Sequence, residues 1–136
     1  MRLATLILQD GVWDDQRLLP IGYVDEMITP TEQNPYFGLS VWVAGSYTER
    51  RGFAHPDRDT RKVFHSEPYL ASDLYLFDGN GNQVVYIVPS QDLVILRTGL
   101  PSVRVVDGEW DNTYLPNVIM RGIEKHPGTS QPQRRL

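Results

Sequence analysis

Apolar positions along the chain fall into short groups separated by turn-forming residues. Leu3-Ala4-Thr5-Leu6-Ile7-Leu8 is a run of good helix formers closed by Asp10-Gly11, so the opening reads as a helix with a C-terminal stop. No Ser, Thr, Asp or Asn precedes it to accept a hydrogen bond from its first amides, so it reads as a helix without a beginning. Pro20 stands just ahead of a second short helix, 21–28, which Thr29-Pro30-Thr31 ends. Residues 36–44 are rich in aromatic and β-branched side chains between turn signals and predict a strand. The stretch 45–70 has no clear period and leaves room for a short helix or an edge strand. Its Arg50, Arg51, Pro56, Asp57, Arg58, Asp59 and Arg61 predict exposure to solvent.

Three further strands follow at 73–77, 84–88 and 93–97. Gly79-Asn80-Gly81-Asn82 and Pro89-Ser90-Gln91-Asp92 separate them, connections short enough for an antiparallel meander. Leu115, Val118, Ile119 and Ile123 recur at helical spacing and predict a helix over 113–123, with Pro116 tolerated in its first turn. The predicted class is α+β: an antiparallel sheet of about four strands flanked by N- and C-terminal helices. Val84-Val85-Tyr86-Ile87-Val88 and Leu93-Val94-Ile95-Leu96 are apolar without alternation, so both sheet faces need cover. Two helices are little cover for two faces, which leads us to expect a piece of something larger.

A length of 136 residues suits one domain, and we expect residues 1–126 to form it, with 127–136 a disordered tail of Gly, Ser, Pro, Gln and Arg. The net charge of -4, with Lys62 and Lys125 the only lysines, argues against a nucleic-acid partner. No run approaches the roughly 18 apolar residues of a membrane span. The opening lacks a small-residue cleavage site, so no signal peptide is expected. With no cysteine there is no thiol chemistry or disulfide, and the compartment stays open.

Candidate chemistry is sparse. Gly79-Asn80-Gly81-Asn82-Gln83 reads first as a hairpin turn, and second as a strand-edge platform whose backbone N–H groups face an oxyanion. It lacks the spacing of a phosphate loop. His55, His65 and His126 share no metal-ligand spacing and read as solvated loop residues, and Asp14-Asp15 and Asp57-Arg58-Asp59 as charged surface. Trp13, Trp42 and Trp110 are read as core or edge residues ahead of a pocket lining. No cofactor or metal is expected.

Taken in order, several segments resemble one family. Arg2-Leu3-Ala4 with Asp10-Gly11-Val12-Trp13 and Arg17-Leu18-Leu19-Pro20 is one. Thr29-Pro30-Thr31 with Asn34-Pro35, Gly38-Leu39 and Trp42-Val43 is another. Gly79-Asn80-Gly81-Asn82-Gln83, Tyr86-Ile87-Val88-Pro89-Ser90, Asp92-Leu93-Val94-Ile95 and Trp110-Asp111-Asn112 complete the set. Together they resemble the C-terminal region of the β-lactamase-related serine hydrolases, the group of class C β-lactamases, penicillin-binding-protein-like esterases and 6-aminohexanoate-dimer hydrolases. The resemblance covers most of residues 1–124 apart from 45–70.

It implies a partial β-lactamase-like fold and a small-molecule amide or ester substrate. In that family a Ser-x-x-Lys serine attacks the carbonyl, a Tyr-x-Asn motif assists proton transfer, and a Lys-Thr-Gly-like strand binds substrate. No Ser here has Lys three positions on, and no Tyr has Asn two positions on. By resemblance, Gly79, Asn80 and Gly81 occupy the place of the third motif, Gly79 standing for its Lys. Asn82, where the family has Gly, would give the oxyanion N–H beside Gln83. The chain therefore holds no catalytic residue, and its partner would be the missing N-terminal part of the domain. The alternative is a non-catalytic binding module that uses its exposed sheet and helix faces.

Overall fold

The computed structural model describes residues 1–43, 45–57, 67–99 and 111–125. The opening helix α1 spans Arg2–Leu8 and has no side-chain cap. It closes on a Schellman pair: the Gly11 N–H donates to Leu6 O (2.8 Å) and the Asp10 N–H to Ile7 O (3.0 Å), with Asp10 at φ 49°. A two-stranded hairpin follows, β1 (Val12–Trp13) and β2 (Gln16–Arg17), turning through Asp14 and Asp15, both at positive φ. Arg17 ties it back to α1 by donating to the backbone (2.7 Å) and carboxylate (3.1 Å) of Asp10.

The second helix, α2, spans Tyr23–Ile28, shorter than the expected 21–28. Ile21 stays outside it and is 84% exposed. The strand expected over 36–44 shrinks to β3, Trp42–Val43. The end of α2 takes the backbone that the strand would have used: the Leu39 N–H donates to Met27 O at 2.8 Å. Gly38, whose missing Cβ leaves room for that same carbonyl, donates to Val41 O at 2.9 Å. With Ser40 at φ 65°, residues 37–42 form a tight turn closed by a Phe37–Trp42 bridge.

Within the segment that showed no period lies α3, Tyr47–Ala54. Its start is a capping box: the Glu49 N–H donates to Ser46 Oγ (3.2 Å) and the Ser46 N–H to Glu49 Oε2 (2.5 Å). Arg50, expected in solvent, is only 2% exposed. Arg51 is half-buried, whereas Pro56 and Asp57 are exposed; Arg58, Asp59 and Arg61 lie outside the described residues.

The antiparallel meander forms as expected, with its first strand shifted from 73–77 to 75–79 so that Gly79 pairs with Gln83. Strands β4 (Tyr75–Gly79), β5 (Gln83–Val88) and β6 (Leu93–Arg97) join β3 in one antiparallel sheet of order β3-β4-β5-β6. Its register lines up cross-strand rows: Asp78, Val84 and Arg97; Phe77, Val85 and Leu96; Leu76, Tyr86 and Ile95; Tyr75, Ile87 and Val94. Alternate rows face opposite sides.

Both faces of the sheet are apolar, and each receives a helix. Ala4 and Ile7 of α1, with Val24 and Met27 of α2, pack on Val41, Val43, Tyr75 and Ile87. On the other face, α4 (Tyr114–Lys125) sets Met120, Leu115 and Ile119 against Leu74, Leu76, Val84, Tyr86, Val88 and Ile95. Its apolar stripe is rotated from the expected one. Val118 and Ile123 are exposed, whereas Pro116, Asn117 and Met120 are buried, because Asn117 is drawn inward by hydrogen bonds. The α+β class is therefore as expected. No helix among the described residues is long and apolar enough to cross a membrane. The tail, residues 127–136, lies outside the described residues.

Candidate functional site

The turn singled out in the sequence sits at one end of the sheet. Gly79 ends β4, residues 80–82 form a turn kinked at Gly81, and Gln83 begins β5. Gly81 adopts φ 68°, a conformation that favours glycine. Gly79, Asn80 and Gln83 are exposed and Gly81 half-buried, so the turn's backbone lies at the molecular surface. The Gln83 amide is occupied by neighbouring backbone: Nε2 donates to Gly99 O (2.6 Å) and Gly81 O (3.3 Å), and Oε1 accepts from the Gly99 N–H (3.2 Å). This side chain extends the β5–β6 pairing past its last rung and fixes the turn against the end of β6.

Beside the turn, one residue back along β4, lies a buried polar cluster that sequence reasoning missed. The Arg50 guanidinium lies 5.3 Å from the Trp42 ring centre, 5.7 Å from that of Tyr47 and 5.8 Å from that of Tyr69. It donates to the Tyr69 hydroxyl at 2.8 Å and forms an ion pair with Asp78 at 3.8 Å. Asn112 Nδ2 donates to the same Asp78 oxygen at 2.8 Å. Asp111 accepts from the backbone N–H (2.7 Å) and hydroxyl (2.5 Å) of Thr113, shaping the entry to α4. Asn117 then joins α4 to the segment before β4, accepting from the Leu70 N–H and donating to Pro68 O and Glu67 Oε1 at 2.9–3.0 Å.

Burial sets the electrostatics of this cluster. It pushes the carboxyls of Asp78 and Asp111 above their ordinary range, opposed at Asp78 by Arg50 and the Asn112 hydrogen bond, and at Asp111 chiefly by Thr113. Burial also pushes the Tyr47, Tyr69 and Tyr86 phenols up, so they stay protonated near neutral pH. The cluster thus holds the Arg50 guanidinium among aromatic faces, with Arg51 also 5.3 Å from the Tyr47 ring centre, and neutral phenols and a paired carboxylate around them.

Outside these two features the chemistry is structural. Asp73 accepts from both the Ser90 amide (2.6 Å) and hydroxyl (2.8 Å), which braces the β5–β6 connection. Trp42 is half-buried against Phe37 and Arg50, whereas Trp13 lines an open groove of about 510 Å³ with Thr5, Gln9, Val12, Asp14 and Asp15. Trp110 lies outside the described residues. His55 is exposed, and His65 and His126 are outside the described residues. Among the described residues no group of three His, Asp or Glu side chains is placed to hold a metal ion.

The cluster left one trace in the sequence, the Ser46-x-x-Glu49 capping box that signals α3. Nothing in the pattern marks Arg50 as its buried residue. Neither a protein-family model nor a curated protein sequence matches the chain.

Proposed function

We propose that this chain is the C-terminal part of a β-lactamase-related serine hydrolase acting on a small-molecule amide or ester. In this reading Gly79, Asn80, Gly81, Asn82 and Gln83 form the substrate-side edge, and the Asn82 N–H contributes to the oxyanion hole. Gln83 acts by holding the turn in place through Gly99. The nucleophile and its base belong to a separate N-terminal part.

The observation that carries the proposal is the unequal cover of the sheet next to this turn. In the rows next to the turn Val84 on the α4 side is fully buried and Asp78 and Arg97 half-buried, whereas on the other face Phe77 and Val85 are half-buried and Leu96 is 44% exposed. Leu3 of α1 and Leu18, Ile21 and Leu39 outside it are also exposed. An apolar surface of this kind beside a glycine-containing strand edge is suited to a further packing layer and a substrate cleft between the two.

The test mixes the folded chain with an N-terminal fragment of such a hydrolase that carries Ser-x-x-Lys and Tyr-x-Asn. Ester hydrolysis should rise above that of either part, with a fluorophosphonate probe labelling only the N-terminal fragment. An inert mixture of well-folded parts, or stoichiometric labelling of a serine in this chain, would overturn it. The same exposed side chains favour a second reading as a binding module, which requires a soluble monomer or defined oligomer that gains a partner without gaining hydrolysis.

A further inference from the structure

Three polar atoms in the cluster around Asp78 are sealed from solvent and lack a hydrogen-bond partner among the described residues: Arg50 Nε, the Tyr86 hydroxyl and Asn112 Oδ1. Their residues are 2%, 0% and 1% exposed. Buried polar atoms are nearly always satisfied, and where protein groups do not serve, ordered water does. The three belong to one neighbourhood. Arg50 and Asn112 meet at a single Asp78 oxygen, and Tyr86, paired with Leu76, stands on the same sheet face as Asp78, in the next row on that face.

Their chemistry is also complementary to one small molecule. Arg50 Nε can only donate, Asn112 Oδ1 can only accept, and a phenol hydroxyl does either. An anion would satisfy Arg50 and oppose both Asn112 Oδ1 and the nearby carboxylates of Asp78 and Asp111. A cation would oppose Arg50. Water, the smallest neutral molecule that both accepts and donates, can accept from the guanidinium while donating to the amide oxygen.

We propose that Arg50, Tyr86 and Asn112 enclose an internal water site beside Asp78. The bound water accepts from Arg50 Nε, donates to Asn112 Oδ1 and shares a hydrogen bond with the Tyr86 hydroxyl. It hydrates the buried Arg50 end of the ion pair from within, which moderates the desolvation that such a group suffers.

The site is independent of any hydrolase activity, and its test needs none. A high-resolution crystal structure of the full chain should show an ordered water within hydrogen-bond distance of at least two of the three atoms. Tyr86→Phe keeps the ring, and with it the packing, but removes one water partner, so Tm should fall by roughly 3–6 °C and the water should be lost or move. A dry site, or one filled by a protein side chain, overturns the proposal. So does a Tyr86→Phe variant with an unchanged or higher Tm, the outcome for a hydroxyl that had no partner to lose.

Discussion

On the α4 side of the sheet Leu76, Val84 and Tyr86 are completely buried, and the helix is held there by named polar contacts through Asn112 and Asn117. On the α1 side Tyr75 and Ile87 are covered by two short helices, while the row of Phe77, Val85 and Leu96 nearest the 79–83 turn is left partly open. Both faces bury apolar side chains. The α4 face adds an ion pair whose arginine is buried and amide hydrogen bonds with a single compatible geometry, whereas the Arg17–Asp10 pair on the α1 side is exposed. Apolar burial is non-directional and tolerates several arrangements, whereas a sealed polar cluster is costly in every arrangement but the satisfied one. The α4 face is therefore the more exactly specified of the two, and the α1 face is the more adaptable one, suited to receiving another layer.

The largest effect that separates the two faces is expected from Arg50→Met. It removes the nearer cation from the half-buried Asp78 carboxyl and the Tyr69 hydrogen bond, and should destabilise the chain by about 3 kcal/mol in urea unfolding, the low end for a broken buried pair because Asp78 keeps some contact with solvent. Adding Asp78→Leu should recover most of that loss, since replacing both partners of a buried pair by apolar groups is often neutral. A double variant as unstable as the single one would show that the cluster matters through its aromatic packing instead.

The corresponding change on the other face is Ile7→Ala, where Ile7 is 4% exposed. Its cost should be about 2–3 kcal/mol, the low end of the range for a buried isoleucine, because α1 can settle toward the sheet. A loss as large as that of Arg50→Met would mean that the α1 face is as tightly specified as its opposite.

A smaller effect is expected in the pH dependence. Burial holds the Asp78 pKa above its ordinary 3.8, so the folded chain binds this proton more tightly than the unfolded chain. As pH rises from about 3.8 through the higher folded value, the unfolded chain ionises first and this contribution to stability is lost. Stability measured for the native chain minus that of Asp78→Asn should therefore fall across that window and then level off. A difference that rises with pH would show that Arg50 outweighs burial at this carboxyl.

The smallest effect on stability is expected on the open face. Ile21→Ser combined with Leu96→Ser should change the unfolding free energy by no more than about 0.5 kcal/mol per site, since both side chains are exposed. The same pair should weaken association with the N-terminal fragment in the complementation assay. Unchanged complementation would remove this face from the proposed interface.

The sequence by itself determined the α+β class, the antiparallel meander with its two connections, the helices at either end and the need for cover on both faces. Those features follow from local pattern: period-2 and period-3.6 spacing, turn residues, and strands without alternation. The 79–83 turn was equally legible, because Gly and Asn mark it directly. Tertiary structure alone decided the rest. The aromatic strand expected over 36–44 gave way to a turn once the end of α2 took the Leu39 amide, a long-range hydrogen bond that no local propensity contains. Arg50 left solvent for the interior because Trp42, Tyr69 and Asp78, well separated in sequence, converge on it. The buried face of α4 rotated because Asn117 found partners some 50 residues earlier. Periodicity records which residues are apolar. Whether a charged or amide side chain is buried depends on partners that only folding brings within reach.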